Sequence, residues 1–139
     1  MMKTFLSLIK AFIPPIVLFL FHVVMIFFVD IYTFWPDFDI LMHFAGGFTM
    51  GVTAVWLINF SQKENSMRIN HPVISIFLTV CFVALMATLW EFAEWTSDHY
   101  LATYMQAGLD DTMFDMFLGV CGGLLSGSIL TFKNTSEKK

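Results

Sequence analysis

Positive charge is scarce in this sequence, and over two stretches it is missing altogether. Lys and Arg number 7 among 139 residues and only 13% of residues are charged, while 58% are hydrophobic and the mean hydropathy is +0.74. So few charges cannot cover a soluble domain of this length, and a net charge of −4 removes nucleic acid from the expected partners. Cysteine is nearly absent: Cys81 and Cys121 both fall inside apolar runs. That excludes a disulfide framework or a thiolate metal site, and both are expected as buried free thiols. No G-x-S-x-G, P-loop or paired Ser and Lys occurs, so Thr49, Ser97 and Thr112 read as caps or packing residues rather than nucleophiles. The opening M-M-K-T-F-L-S-L-I-K has the charge of a secretory signal. Its apolar stretch is too long and no small-residue cleavage site follows, so a retained first helix starting at Pro14 and Pro15 is expected.

What the sequence has in abundance is apolar runs. Four of them, over about 12–29, 40–60, 73–95 and 112–132, fit the roughly 20 residues that a helix needs to cross a bilayer. The expected fold is all-α: an integral membrane four-helix bundle forming one transmembrane domain over 1–139. Lys3 and Lys10 precede the first run, Lys63 and Arg68 lie between the second and third, and Lys133, Lys138 and Lys139 follow the fourth. The positive-inside rule makes those segments, and both termini, cytoplasmic. A multi-pass protein of the bacterial cytoplasmic (inner) membrane is expected, with the base-free loops around 29–39 and 96–111 facing outward.

The acids collect on the outward side. Asp30, Asp37 and Asp98 read as solvated loop or helix-end carboxylates. His43, Glu91, Glu94 and Asp115 sit deeper, about one turn inside their runs, and all four are expected at a similar depth. Ionisable groups cost about 2.5–3.5 kcal/mol each near the bilayer centre and less toward the interface, so they face other helices and find partners. With no Lys or Arg on that side, crowded carboxylates must either share protons or recruit a metal.

A repeat indicates which helices bring them together. Asp39-x3-His43-x3-Gly47-x3-Gly51 in the second run is echoed by Asp111-x3-Asp115-x3-Gly119-x3-Gly123, extended to Gly127, in the fourth. Residues four apart share roughly one helix face, and small residues on that step let membrane helices approach closely. Two tandem helical hairpins are expected, with parallel second and fourth helices docked through glycine. Only the second hairpin carries W-E-F-A-E-W, with Glu91 and Glu94 three apart on one face. His22, alone in the first run, reads as a hydrogen-bonded packing residue. Leu101 and Met105 with Tyr100 and Tyr104 suggest a short interfacial helix within 96–111, ended by Gly108; the tyrosines, with Trp35 and Trp95, also fit an aromatic belt.

The run of D-x3-H-F-x-G-G, W-E-x2-E and D-T-x2-D-M followed by a glycine-rich helix end resembles the VanZ-like group of small bacterial membrane proteins over about 35–127. In that group the third-helix motif is more often Glu with Gln and the fourth-helix motif Asp with Asn. Glu94 and Asp115 take those places here, which makes this site more acidic. The resemblance implies a cell-envelope role and carries no chemistry with it.

Asp39, His43, Glu91, Glu94, Asp111 and Asp115 together offer oxygen-rich ligation with one imidazole. That set suits a divalent Zn, Mn, Fe, Mg or Ca ion. Three functions stay open. One is metal-dependent chemistry on a lipid or lipid-linked phosphate at the outer leaflet. Another is cation handling by a transporter or a channel-like homo-oligomer. The third is a non-enzymatic envelope or assembly factor whose buried acids are protonated. Membrane lipid is the expected partner in each.

Overall fold

The computed structural model describes residues 8–136, and every regular element among them is helical. Helix α1 spans Ile13–Val24 and runs on as a π-helical turn, Met25–Val29. A short helix α2 (Ile31–Phe34) follows, and then three long ones: α3 (Phe38–Lys63), α4 (Pro72–Leu101) and α5 (Leu109–Ser136). Proline starts two of these. Pro14 and Pro15 open α1 and Pro72 opens α4, where their missing N–H groups would have no intrahelical partner anyway. His71, directly before Pro72, is extended, as the proline ring demands.

Helices α3, α4 and α5, of 26, 30 and 28 residues, are long and apolar enough to cross a membrane; the apolar stretch Ile13–Val29 is shorter. Their outward surfaces carry large apolar side chains, among them Phe77, Leu85, Phe92, Phe117 and Phe132. Within the apolar stretch of α4, where a bilayer would offer no water, Thr79 and Thr88 each donate to the carbonyl four residues back, and Thr96 and Ser97 beyond it do the same. Lys3, Lys138 and Lys139, which bear on the expected orientation of the termini, lie outside the described residues.

The most extensive interface joins α3 to α5, and α4 packs across both. Glycine makes the α3–α5 contact possible: a Cβ on Gly47 would collide with the Gly119 carbonyl, and one on Gly122 with the Phe44 carbonyl. The stripe of α5 is not all spent on α3, however. Gly123 and Gly127 face Val83 and Thr79 of α4, because each four-residue step turns about 40° around the helix. Helix α1 packs on α3. Near its start, Thr53 Oγ1 donates to the Ala11 carbonyl at 2.7 Å.

Two expectations are corrected. The segment 96–111 holds no separate interfacial helix: α4 continues to Leu101, and residues 102–108 are irregular. Asp98 organises that turn by accepting from the Thr103 hydroxyl and from the Met105 and Gln106 N–H groups, an arrangement that backbone donors free of helical bonding favour. The thiols are free as expected, but Cys81 is exposed on α4 rather than packed among helices.

Candidate functional site

Asp39 and His43 stand one turn apart in the first two turns of α3, and the close α3–α5 packing brings Asp115 of α5 against them. One ligand atom from each of these three residues lies within 4.8 Å of the other two. His43 Nε2 is 3.5 Å from Asp39 Oδ1 and 3.7 Å from Asp115 Oδ2. Both separations are too long for a good N–H···O hydrogen bond, which favours 2.7–3.2 Å. Asp115 is 3% exposed, so its carboxylate is out of reach of bulk solvent.

Asp39 is held from behind. The Tyr32 hydroxyl, on α2, donates to Asp39 Oδ1 at 3.1 Å and meets His22 Nε2 at 2.8 Å. Since the tyrosine proton is committed to Asp39, its oxygen accepts from His22, which fixes the proton of His22 on Nε2. Burial, and the charge of Asp39 beside it, push the Tyr32 hydroxyl's pKa up, so it remains a donor. The result is a continuous polar line, His22–Tyr32–Asp39–His43–Asp115, from α1 to α5. His22 is thus hydrogen-bonded, as its sequence context suggests, yet its partner ties it to the cluster.

The remaining candidates take different places. Glu94 is buried on α4 and accepts from the Trp90 indole N–H at 2.7 Å. Glu91 is 4% exposed: Oε2 accepts from the Gln106 amide at 3.2 Å, and Oε1 is buried without a hydrogen-bond partner. An unpartnered buried carboxylate oxygen is costly and calls for an occupant or a proton. Asp111 turns to the loop and accepts from the Ala107 N–H at 3.2 Å. The fold therefore gathers Asp39, His43 and Asp115, while Glu91 and Glu94 of α4, expected with them, make other contacts outside that group and Asp111 turns to the loop.

Residues 3–136 match the family described as "Predicted membrane protein (DUF2238)". The chain belongs to that family. A protein of Thermotoga maritima described as "Uncharacterized protein" is 33% identical to this DUF2238 chain over 107 residues, which is 75% of the chain and 51% of that relative. The chain thus spans about half the length of the relative. No solved structure matches it.

Tyr32 and Gln106 are the participants that the pattern of the sequence conceals. Tyr32 follows an apolar run and has the look of a membrane-interface aromatic. Gln106 sits in an irregular loop, where only the fold reveals that its amide reaches Glu91 and the Thr112 hydroxyl.

Proposed function

We propose that this DUF2238 protein is a four-helix, multi-pass protein of the bacterial inner membrane. Asp39, His43 and Asp115 bind a divalent metal ion at its outer face and act on a lipid or lipid-linked phosphate. The observation that carries the proposal is the pair of distances around His43 Nε2. At 3.5 and 3.7 Å they are long for hydrogen bonds. They are slightly wider than the spacing of about 3.0 Å (octahedral) to about 3.4 Å (tetrahedral) between atoms bound some 2.1 Å from one ion, so a small inward shift of the carboxylates would close them on a metal. Among the described residues no Lys or Arg lies at this end to neutralise the carboxylates, since Lys10, Lys63, Arg68 and Lys133 are all near the opposite helix ends. The Tyr32 hydroxyl on Asp39 supplies the outer hydrogen bond that metal-binding carboxylates ordinarily have. One imidazole with carboxylates suits Zn, Mn or Fe better than Ca. Such an ion would polarise a phosphate oxygen or activate water. The likeness to the VanZ-like motifs supports an envelope role, because D-x3-H and D-T-x2-D-M supply the three clustered residues.

Metal analysis of protein purified in mild detergent without chelator tests the site. About one divalent ion per chain is expected, with His43→Ala and Asp115→Asn losing both the ion and thermal stability. Metal-free protein of full stability, or an Asp115→Asn variant more stable than wild type, would mean a protonated cluster instead. Orientation is tested separately in intact cells. A cysteine at Asn65 should resist an impermeant thiol reagent and one at Ala102 should react; the reverse places the cluster at the cytoplasmic face.

A further inference from the structure

A cavity of about 290 Å³ opens on the side of the protein between α1 and α4, lined almost wholly by apolar atoms. Its floor is α3, from His43 through Gly46 to Met50, backed by Gly119 of α5. It exists because α1 is fastened to α3 rather than to α4: Thr53 ties the lower part and the Tyr32–Asp39 line ties the upper. Its lining spans Pro15 to His22 on α1, Met42 to Met50 on α3 and Val83 to Ala93 on α4, about 10–15 Å along the helices at 1.5 Å per residue. At one end it reaches His22 and His43, so it is continuous with the polar cluster.

We infer that this groove holds a segment of one acyl chain of a membrane lipid and thereby sets the lipid's head against His43. The inference rests on the metal-site reading for the identity of the head, while the groove itself stands on its own geometry. Three observations select an acyl chain. The open side of the groove lies among helices whose outer surfaces are apolar, so what reaches it laterally is the hydrocarbon of a bilayer. Phe19 and Trp90 meet edge to face across it, with ring centroids 5.9 Å apart. The ring pair closes the cleft at that point, so a helix, about 10–12 Å across with its side chains, cannot enter it, and only a slender chain can occupy the space lined beyond the rings. The volume is at the small end of the roughly 300–1,000 Å³ of small-molecule sites, which suits part of one chain rather than a whole lipid.

Gly46 makes the inference testable. It lines the groove, and a Cβ built there meets nothing within 4 Å. Gly46→Leu should therefore fill the groove without parting the helices, and Ala93→Leu, at an exposed position on the facing helix that also lines the groove, is a second variant. Purified protein in nanodiscs containing a phospholipid with a diazirine in its acyl chain would be photolysed and the labelled peptides mapped. Label is expected on Leu18 and Met86, falling at least fivefold in both variants, while label on the outward Phe77 and metal content stay unchanged. Equal labelling of the groove in wild type and both variants would overturn the inference. So would a change of oligomeric mass in the variants, which would assign the groove to a second copy of the chain. Metal content reads the cluster independently: a metal-free wild type whose groove label still responds to Gly46→Leu would leave the acyl-chain groove standing and remove the metal site.

Discussion

Helices α3 and α5 carry the same pattern, an acid followed at four-residue steps by a second polar group and then glycines, and they use it differently. In α3 the leading Asp39 reaches the cluster, and Gly47 and Gly51 both face α5. In α5 the leading Asp111 turns away to the loop, Asp115 reaches the cluster, and Gly123 and Gly127 of the stripe face α4. A stripe on a four-residue step drifts about 40° per step, so it cannot follow a straight partner for long. The contact line of α5 on α3 instead goes through Gly119, Gly122 and Ser126, mixing steps of three and four. Sequence identity of a stripe therefore gives the fact of close packing, while the drift decides which partner each glycine meets.

The largest effect is expected where that packing is tightest. Gly46 and Gly47 are neighbours on α3 with opposite surroundings: a Cβ on Gly47 strikes the Gly119 carbonyl, and one on Gly46 meets open space. Gly47→Leu should abolish folding, since backbone cannot yield as a side chain would. Gly47→Ala should cost at least about 2 kcal/mol, within or above the usual range for overpacking. Gly46→Ala should be neutral or stabilise by about 0.5–1 kcal/mol through helix propensity. Thermal unfolding of the pair in one detergent checks this, and equal effects would mean that α3 and α5 do not meet through Gly47.

The two leading acids differ next. If Asp39 is a ligand, Asp39→Asn should weaken metal affinity at least about 100-fold, an amide being a poor ligand for the metal classes proposed. Asp111→Asn keeps an oxygen for the Ala107 N–H and should leave affinity within about twofold. Competition with a chelating indicator measures both. Equal losses would move Asp111 into the site and restore the symmetry of the echo.

Much of this is legible in the sequence. The all-helical fold follows from apolar run length, and the meeting of Asp39, His43 and Asp115 from their depth and from the glycines below them. The outer turns are not. Helix α4 outruns its apolar stretch because W-E-F-A-E-W-T-S-D-H-Y-L contains no Gly or Pro to stop it, so hydropathy marked the membrane and not the helix. The link from His22 to the cluster depends on the π-turn and on Asp30 in the left-handed region, which together aim α2 and its Tyr32 inward. No periodicity in the sequence announces either.

Tyr32 gives a smaller test of the same asymmetry, since Asp39 is steadied by a side chain and Asp111 by backbone alone. Tyr32→Phe removes one hydroxyl from Asp39 and from His22, and outer hydrogen bonds of this kind are worth about 10–100-fold in metal affinity. A loss of about tenfold is expected, with folding retained because the ring still packs edge-on against Phe38. Unchanged affinity would mean that the polar line from His22 is packing only.

The smallest effect belongs to the loop that Asp111 holds. Helix α4 ends at Leu101 and is capped by Ala102, whose φ of 52° places it in the left-handed region, where a Cβ crowds the following carbonyl at a cost of roughly 1–2 kcal/mol. Glycine relieves that crowding but has more freedom to lose on folding, so Ala102→Gly should stabilise the protein by only about 0.5–1 kcal/mol. Metal affinity should not change, because the substitution touches neither Asp98, which ties the turn, nor the cluster. Thermal unfolding and metal titration on one sample separate the two outcomes. A destabilised variant would mean that α4 does not end in this conformation, and an altered affinity would mean that the loop, and Asp111 with it, shapes the site after all.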